Sequence, residues 1–165
     1  MASDTPAPTI AMPLFLWAAL VLDLRKRGQG RRESGAFLLG QQTGNNTKVR
    51  KYICYDDIDA NAYQHGAIAF HADGYAALWK RCKDLKLDVV ADIHTHPGRD
   101  VRQSPIDRRH PMLPVVGHTA MIMPLFAHTS LWSLIGVGVY EYLGNFKWRT
   151  HDLRVGPPRV KLTWW

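Results

Sequence analysis

The chain has 165 residues, 46% hydrophobic and 21% charged, the balance of one globular domain with a buried core and not of a disordered segment. A formal net charge of +7 points toward acidic partners, but the basic residues are spread along the chain without an aromatic-studded basic motif, which argues against a nucleic-acid module. With two cysteines and no basic stretch before the first apolar run, neither a disulfide framework nor a secretion signal is expected, and a reducing, cytoplasmic setting follows.

In chain order, residues 1–8 read as a disordered lead and residues 9–165 as one domain. The apolar run TIAMPLFLWAALVLDL falls short of the roughly 20 residues a membrane span needs. Leu14, Trp17, Ala18, Val21 and Leu22 recur at helical spacing, so the run predicts a buried amphipathic helix and no membrane contact. RKRGQGRR, from Arg25 to Arg32, reads as its solvated end and the following loop. GAFLLGQQ and TKVRKYICY predict two strands joined by the turn signal TGNN. Asp73 is the expected N-cap of a helix in which Tyr75, Leu78, Trp79, Cys82 and Leu85 share a face. LDVVADIH reads as an interior strand, followed by a short helix and then by strands in GHTAMIMPLFA and SLIGVGVYEYLGNFKWRTHD, with a hairpin turn near Gly144–Asn145. This order predicts an α+β domain with a mixed central β-sheet flanked by helices.

The stretch ADIHTHPGRDVRQSPID carries the chemistry. On a strand, residues two apart point the same way, so His94 and His96 aim both imidazoles at one place, a ready pair of zinc ligands. SPID has two compatible readings. Ser-x-x-Asp with Pro105 at the first helical position is a helix N-cap, and a helix start is also a rigid holder for Asp107. A catalytic zinc wants three protein ligands and an open position, and His94, His96 and Asp107 supply three. Of the two glutamates, Glu33 and Glu141, nothing in the spacing brings Glu33 to a metal. Asp92 and His118 lie near the site in sequence, as structural residues or as groups that orient the ligands from behind. His65, His71, His110, His128 and His151 have no partner at ligand spacing and read as surface or satisfied core residues, and the terminal Trp164 and Trp165 read as packed onto the sheet or, as the alternative, as part of an interface with a partner.

RESGAFLLG followed by H-T-H-P-x6-S-P-I-D resembles the signature of the JAMM/MPN+ zinc metalloprotease family, whose fold is an MPN/JAB-like domain. Glu33 falls at the family's glutamate, with Gly35 and Gly40 at its glycines. His94 and His96 fall at the histidines, and Ser104 and Asp107 at the serine and aspartate. The resemblance implies one Zn²⁺ per chain on His94, His96 and Asp107, with a bound water. It makes Glu33 the general base and then the general acid, and Ser104 a hydrogen-bond donor to the oxyanion. It also implies a substrate: a ubiquitin-like protein or its conjugate, cut after the C-terminal glycine in deconjugation or precursor processing. Compact prokaryotic members keep company with E1-like and E2-like proteins, some in antiphage defence. Rival readings are a RadC-like, DNA-associated protein and a non-enzymatic scaffold that binds a partner. An amidohydrolase also uses H-x-H, but its (β/α)₈ barrel needs about 250 residues.

Overall fold

The run from Gly35 to Gly40 is buried throughout, which a strand achieves only in the interior of a sheet covered on both faces. In the computed structural model, which describes residues 8–63 and 68–165, this run belongs to β2 (Gly35–Thr43). A tight turn at Gly44, with φ +60°, returns the chain as β3 (Asn46–Cys54), the predicted hairpin. β4 (Asp88–Thr95) pairs antiparallel with the other edge of β2, and β5 (Thr119–Met123) runs parallel to β4. β6 (Gly138–Gly144) and β7 (Lys147–Thr150) follow as a hairpin, turning through Asn145 and Phe146 at φ 50° and 58°, where the sequence predicted it. β1 (Thr9–Pro13) and β8 (Val160–Thr163) extend the far side, giving one eight-stranded sheet in the order β7-β6-β5-β4-β2-β3-β1-β8.

Alternation along β2 divides the core. Ala36 and Leu38 join a cluster with Trp17, Leu20, Val21 and Leu24 of α1 (Leu14–Gly28). Phe37 and Leu39 join a second cluster with Leu78 and Cys82 of α3 (Ala72–Leu85) and Tyr55 of α2 (Tyr55–Ile58). α4 (Pro105–Arg109) and a short turn at Leu125–Ala127 complete the described elements. No described helix is long and apolar enough to cross a membrane.

The expected fold class is corrected. The fold is β-rich, an eight-stranded mixed sheet curled into a half-barrel with few helices, and not an α+β, MPN/JAB-like central sheet flanked by helices. The curl is visible in Arg159, at the start of β8, which reaches Thr119 on β5 although four strands lie between them in the sheet. β1 and β8 are short and escaped sequence reading. Thr9–Pro13 was absorbed into the predicted helix because its apolar residues run straight into those of α1.

Smaller corrections follow from packing. Leu22 and Trp79, assigned to apolar faces, are half-exposed, and Trp164 and Trp165 are 72% and 80% exposed, so the terminal pair does not pack on the sheet. The N-cap of α3 is His71, not Asp73, because the Asp59 carboxylate accepts the His71 amide at 2.9 Å and starts the helix earlier. The solvated basic end of α1 is only partly so, since Arg27 bridges Asp23, Asp56 and Asp57. The expected lead lies outside the described residues except for Pro8, and so does His65.

Candidate metal centre

β4 delivers the histidines. Asp92, His94 and His96 occupy alternate positions, and all three line one cavity. Asp107 arrives from α4, where the cap reading of SPID holds. Ser104 Oγ accepts the Asp107 amide at 3.1 Å, while Asp107 Oδ2 accepts the Ser104 amide at 2.7 Å, with Pro105 as the first helical residue. The same two bonds fix the carboxylate in front of the histidines.

The three donors converge. His94 Nε2 and His96 Nε2 are 3.2 Å apart, Asp107 Oδ1 is 3.4 Å from the first, and Oδ2 is 3.4 Å from the second. A tetrahedral zinc with ligands at about 2.0–2.1 Å sets those ligand atoms about 3.3 Å from one another. Each imidazole nitrogen lies near that spacing from a different Asp107 oxygen, and one ligand atom from each residue lies within 4.8 Å of the others, so the chemistry of the donor set suits Zn²⁺. His96 Nδ1 lies 2.9 Å from the Asp100 carbonyl oxygen, which can only accept, so Nδ1 carries a proton and Nε2 is left to face the other donors. Hydrogen bonding to Asp107 raises the pKa of His96, against the opposing pull of burial. Burial pushes the Asp107 carboxyl up, but hydrogen bonds from His94 and His96 prevail and hold it far below the usual carboxylate range.

Glu33 joins the site through strand pairing. Gly35 stands opposite His94 in the β2–β4 ladder, and the Thr95 amide bonds the Ser34 carbonyl at 2.9 Å, so the next residue, Glu33, comes level with His96. Glu33 is half-buried and lines the cavity, and among the described residues no hydrogen bond or ion pair reaches its carboxylate. Burial raises its pKa, with the charges of His94 and His96 pulling the other way. Gly35 is required by this arrangement, because a Cβ there would run into the Tyr55 ring and come within 2.7 Å of the Ile93 carbonyl oxygen.

Asp92 and His118 form a pair of their own. His118 Nε2 and Asp92 Oδ1 are 2.6 Å apart, the Tyr55 hydroxyl donates to Asp92 Oδ2 at 3.2 Å, and all three are buried. Asp92 lines the cavity and His118 does not, and among the described residues neither bonds a ligand side chain, so the pair does not orient the histidines.

Sequence reading missed most of the walls. Tyr55, Ile68, Met112, Ala120, Ile122 and Trp148 bound the cavity of about 380 Å³ with the site residues, and His110, read as a surface or satisfied core residue, also lines it. Ala120 and Ile122 alternate along β5, but the others come from separate segments, so no single pattern could announce the wall. A second, more polar recess of about 660 Å³ opens past His96, between Asp100, Arg102, Arg108, Tyr140 and Trp148. Of the other histidines, His151 pairs with Glu141 at 2.8 Å and His71 with Asp59 at 2.7 Å, each away from the cavity.

No family model matches the chain. Its fold is shared by solved structures without an assigned activity in their descriptions. The solution structure of protein DSY2949 from Desulfitobacterium hafniense matches at 14% identity over 94% of this chain and 93% of that one, with a TM-score of 0.60. That of a protein from Salinibacter ruber matches at 18% identity over 87% of this chain and 89% of that one, with a TM-score of 0.57. At such identities the likeness extends to the fold alone.

Proposed function

We propose that the chain is a zinc-dependent peptidase or isopeptidase that hydrolyses the bond after the C-terminal glycine of a ubiquitin-like protein. The observation that carries this reading is one juxtaposition. Two imidazole nitrogens 3.2 Å apart, each 3.4 Å from an oxygen of Asp107, share one cavity with the Ser104 hydroxyl and with a half-buried Glu33 carboxylate that no hydrogen bond reaches among the described residues. The substrate class comes from the resemblance of these motifs to JAMM enzymes. Its expected partners are a ubiquitin-like protein or its conjugates, with E1-like and E2-like proteins in the same pathway. A cytoplasmic setting suits the two free, buried cysteines.

His94, His96 and Asp107 would hold the zinc, which when bound supplies a Lewis acid for the scissile carbonyl and lowers the pKa of water toward about 7. Glu33 takes a proton from the attacking water onto its carboxylate and returns it to the departing amine nitrogen. Its raised pKa suits both transfers better than an ordinary glutamate would. Ser104 Oγ already accepts from the Asp107 amide, so its own proton is free to be donated to the carbonyl oxygen as charge builds there. The apolar walls, Ile68, Met112, Ile122 and Trp148, limit water around these transfers.

The test compares wild type with Glu33→Ala for zinc content and for cleavage of a ubiquitin-like protein extended past its terminal Gly-Gly. The expected result is about one zinc per chain in both, with cleavage by wild type only. Cleavage by Glu33→Ala would remove Glu33 from its role. Zinc without cleavage in wild type would overturn the substrate assignment, and no zinc in either protein would overturn the metal centre and favour a scaffold.

A further inference from the structure

We infer that Arg25, on the last turn of α1, is a positioning residue for the metal centre: it clamps a strained left-handed turn against the loop that carries His96. The consequence for metal binding rests on the zinc reading above, while the clamp rests on geometry alone.

Leu125, Phe126 and Ala127 have φ of 56°, 49° and 67°, three successive non-glycine residues in the left-handed region. There the Cβ crowds the neighbouring carbonyl, so chains enter it one residue at a time and mostly with glycine or asparagine. A run of three must be held by its surroundings. One side of the turn grips the histidine loop. Phe126 N–H donates to the His96 carbonyl at 2.8 Å and Leu125 N–H to the Gly98 carbonyl at 3.0 Å, while His96 N–H donates to Met123 O at 2.8 Å. β4 ends at Thr95, so these bonds carry the ladder on to the second ligand.

The other side of the turn is held by one guanidinium. Arg25 Nε and Nη2 both donate to the Ala127 carbonyl, at 3.1 and 3.0 Å, and Nη2 also reaches the Thr129 carbonyl at 3.2 Å. Without that fork the Ala127 and Thr129 carbonyls lose their donors and the turn is free to relax toward the right-handed region. Relaxation would withdraw the amides that hold His96 and Gly98, and with them the 3.2 Å approach of His96 Nε2 to His94 Nε2.

The test uses Arg25→Ala, Arg25→Lys and the double variant Arg25→Ala with Ala127→Gly. Lysine keeps the charge and the stem but not the fork, so it probes the clamp in a chain whose helix is least disturbed. Glycine accepts the left-handed conformation without strain and should substitute for the clamp. Two quantities are read: the zinc dissociation constant, by competition with a chromophoric chelator, and hydrogen exchange of the Phe126 amide in the metal-free protein. Both single variants are expected to weaken zinc binding about 10- to 100-fold and to speed Phe126 exchange, with circular dichroism unchanged. The double variant should recover most of both effects, which a merely structural loss at Arg25 would not allow. Unchanged zinc affinity and exchange in the single variants, or losses that Ala127→Gly does not recover, would overturn the clamp. A wild type that takes up no zinc would instead overturn the metal reading, and Phe126 exchange would still decide the clamp.

Discussion

His96 answers to two opposed proton demands. Its hydrogen bond with Asp107 favours the imidazolium and raises its pKa in the metal-free protein, whereas zinc requires the neutral ring. A raised folded pKa contributes stability that is fully present below the unfolded value, about 6.5, and is lost as pH rises through the folded value. The metal-free protein should therefore gain thermal stability relative to His96→Ala as pH falls from about 8 to about 6, while zinc affinity falls over the same window. Melts in chelator and zinc titrations across that range check both directions. A stability difference that stays flat would mean that the His96–Asp107 bond does not form without metal. Asp107 carries the opposite sign: its lowered pKa stabilises the fold above about 3.9, and that contribution disappears only as pH drops further.

At the scale of elements, β2 and β4 bring the site together through a close approach that Gly35 permits. Gly35→Ala should cost about 1–3 kcal/mol of stability, because the new methyl meets both the Tyr55 ring and the Ile93 carbonyl. Urea unfolding measures this, and an unchanged midpoint would show that the Tyr55 ring gives way. The same elements show what spacing can announce. The β2–β3 hairpin and the β6–β7 turn were legible because Gly44, Asn45, Gly144 and Asn145 are residues that tolerate the left-handed backbone a tight turn demands. The short helix at Pro105–Arg109 was legible from its cap. β1 was not, because an apolar strand that feeds directly into an apolar helix leaves no break in composition. The left-handed turn at Leu125–Ala127 was invisible too, since none of its residues favours that conformation and contacts far away in sequence impose it.

Across the whole molecule, the half-barrel is drawn together at Arg159. Its guanidinium is buried and donates to Thr119 Oγ1 at 2.9 Å, Pro8 O at 3.0 Å and Gly117 O at 2.6 Å, joining the β8 and β1 side to β5. Replacing it by leucine should cost about 3 kcal/mol, because it leaves buried acceptors without their charged donor. A chemical denaturation midpoint equal to wild type would show that the curl does not depend on this contact. Chemistry local to one stretch was readable along the chain: His94 and His96, at and just past the end of β4, alternate onto one side, and Ser104 and Asp107 cap a helix by a fixed four-residue geometry. Chemistry that depends on which elements meet was not. Ser34 and Thr95, 61 residues apart, pair through β2 and β4, and that register brings Glu33 level with His96. Burial then ties Asp92 to His118 and Tyr55 and away from the ligands. Backbone periodicity reaches only a few residues along the chain, whereas strand register and sheet curl are chosen by the burial of the whole core.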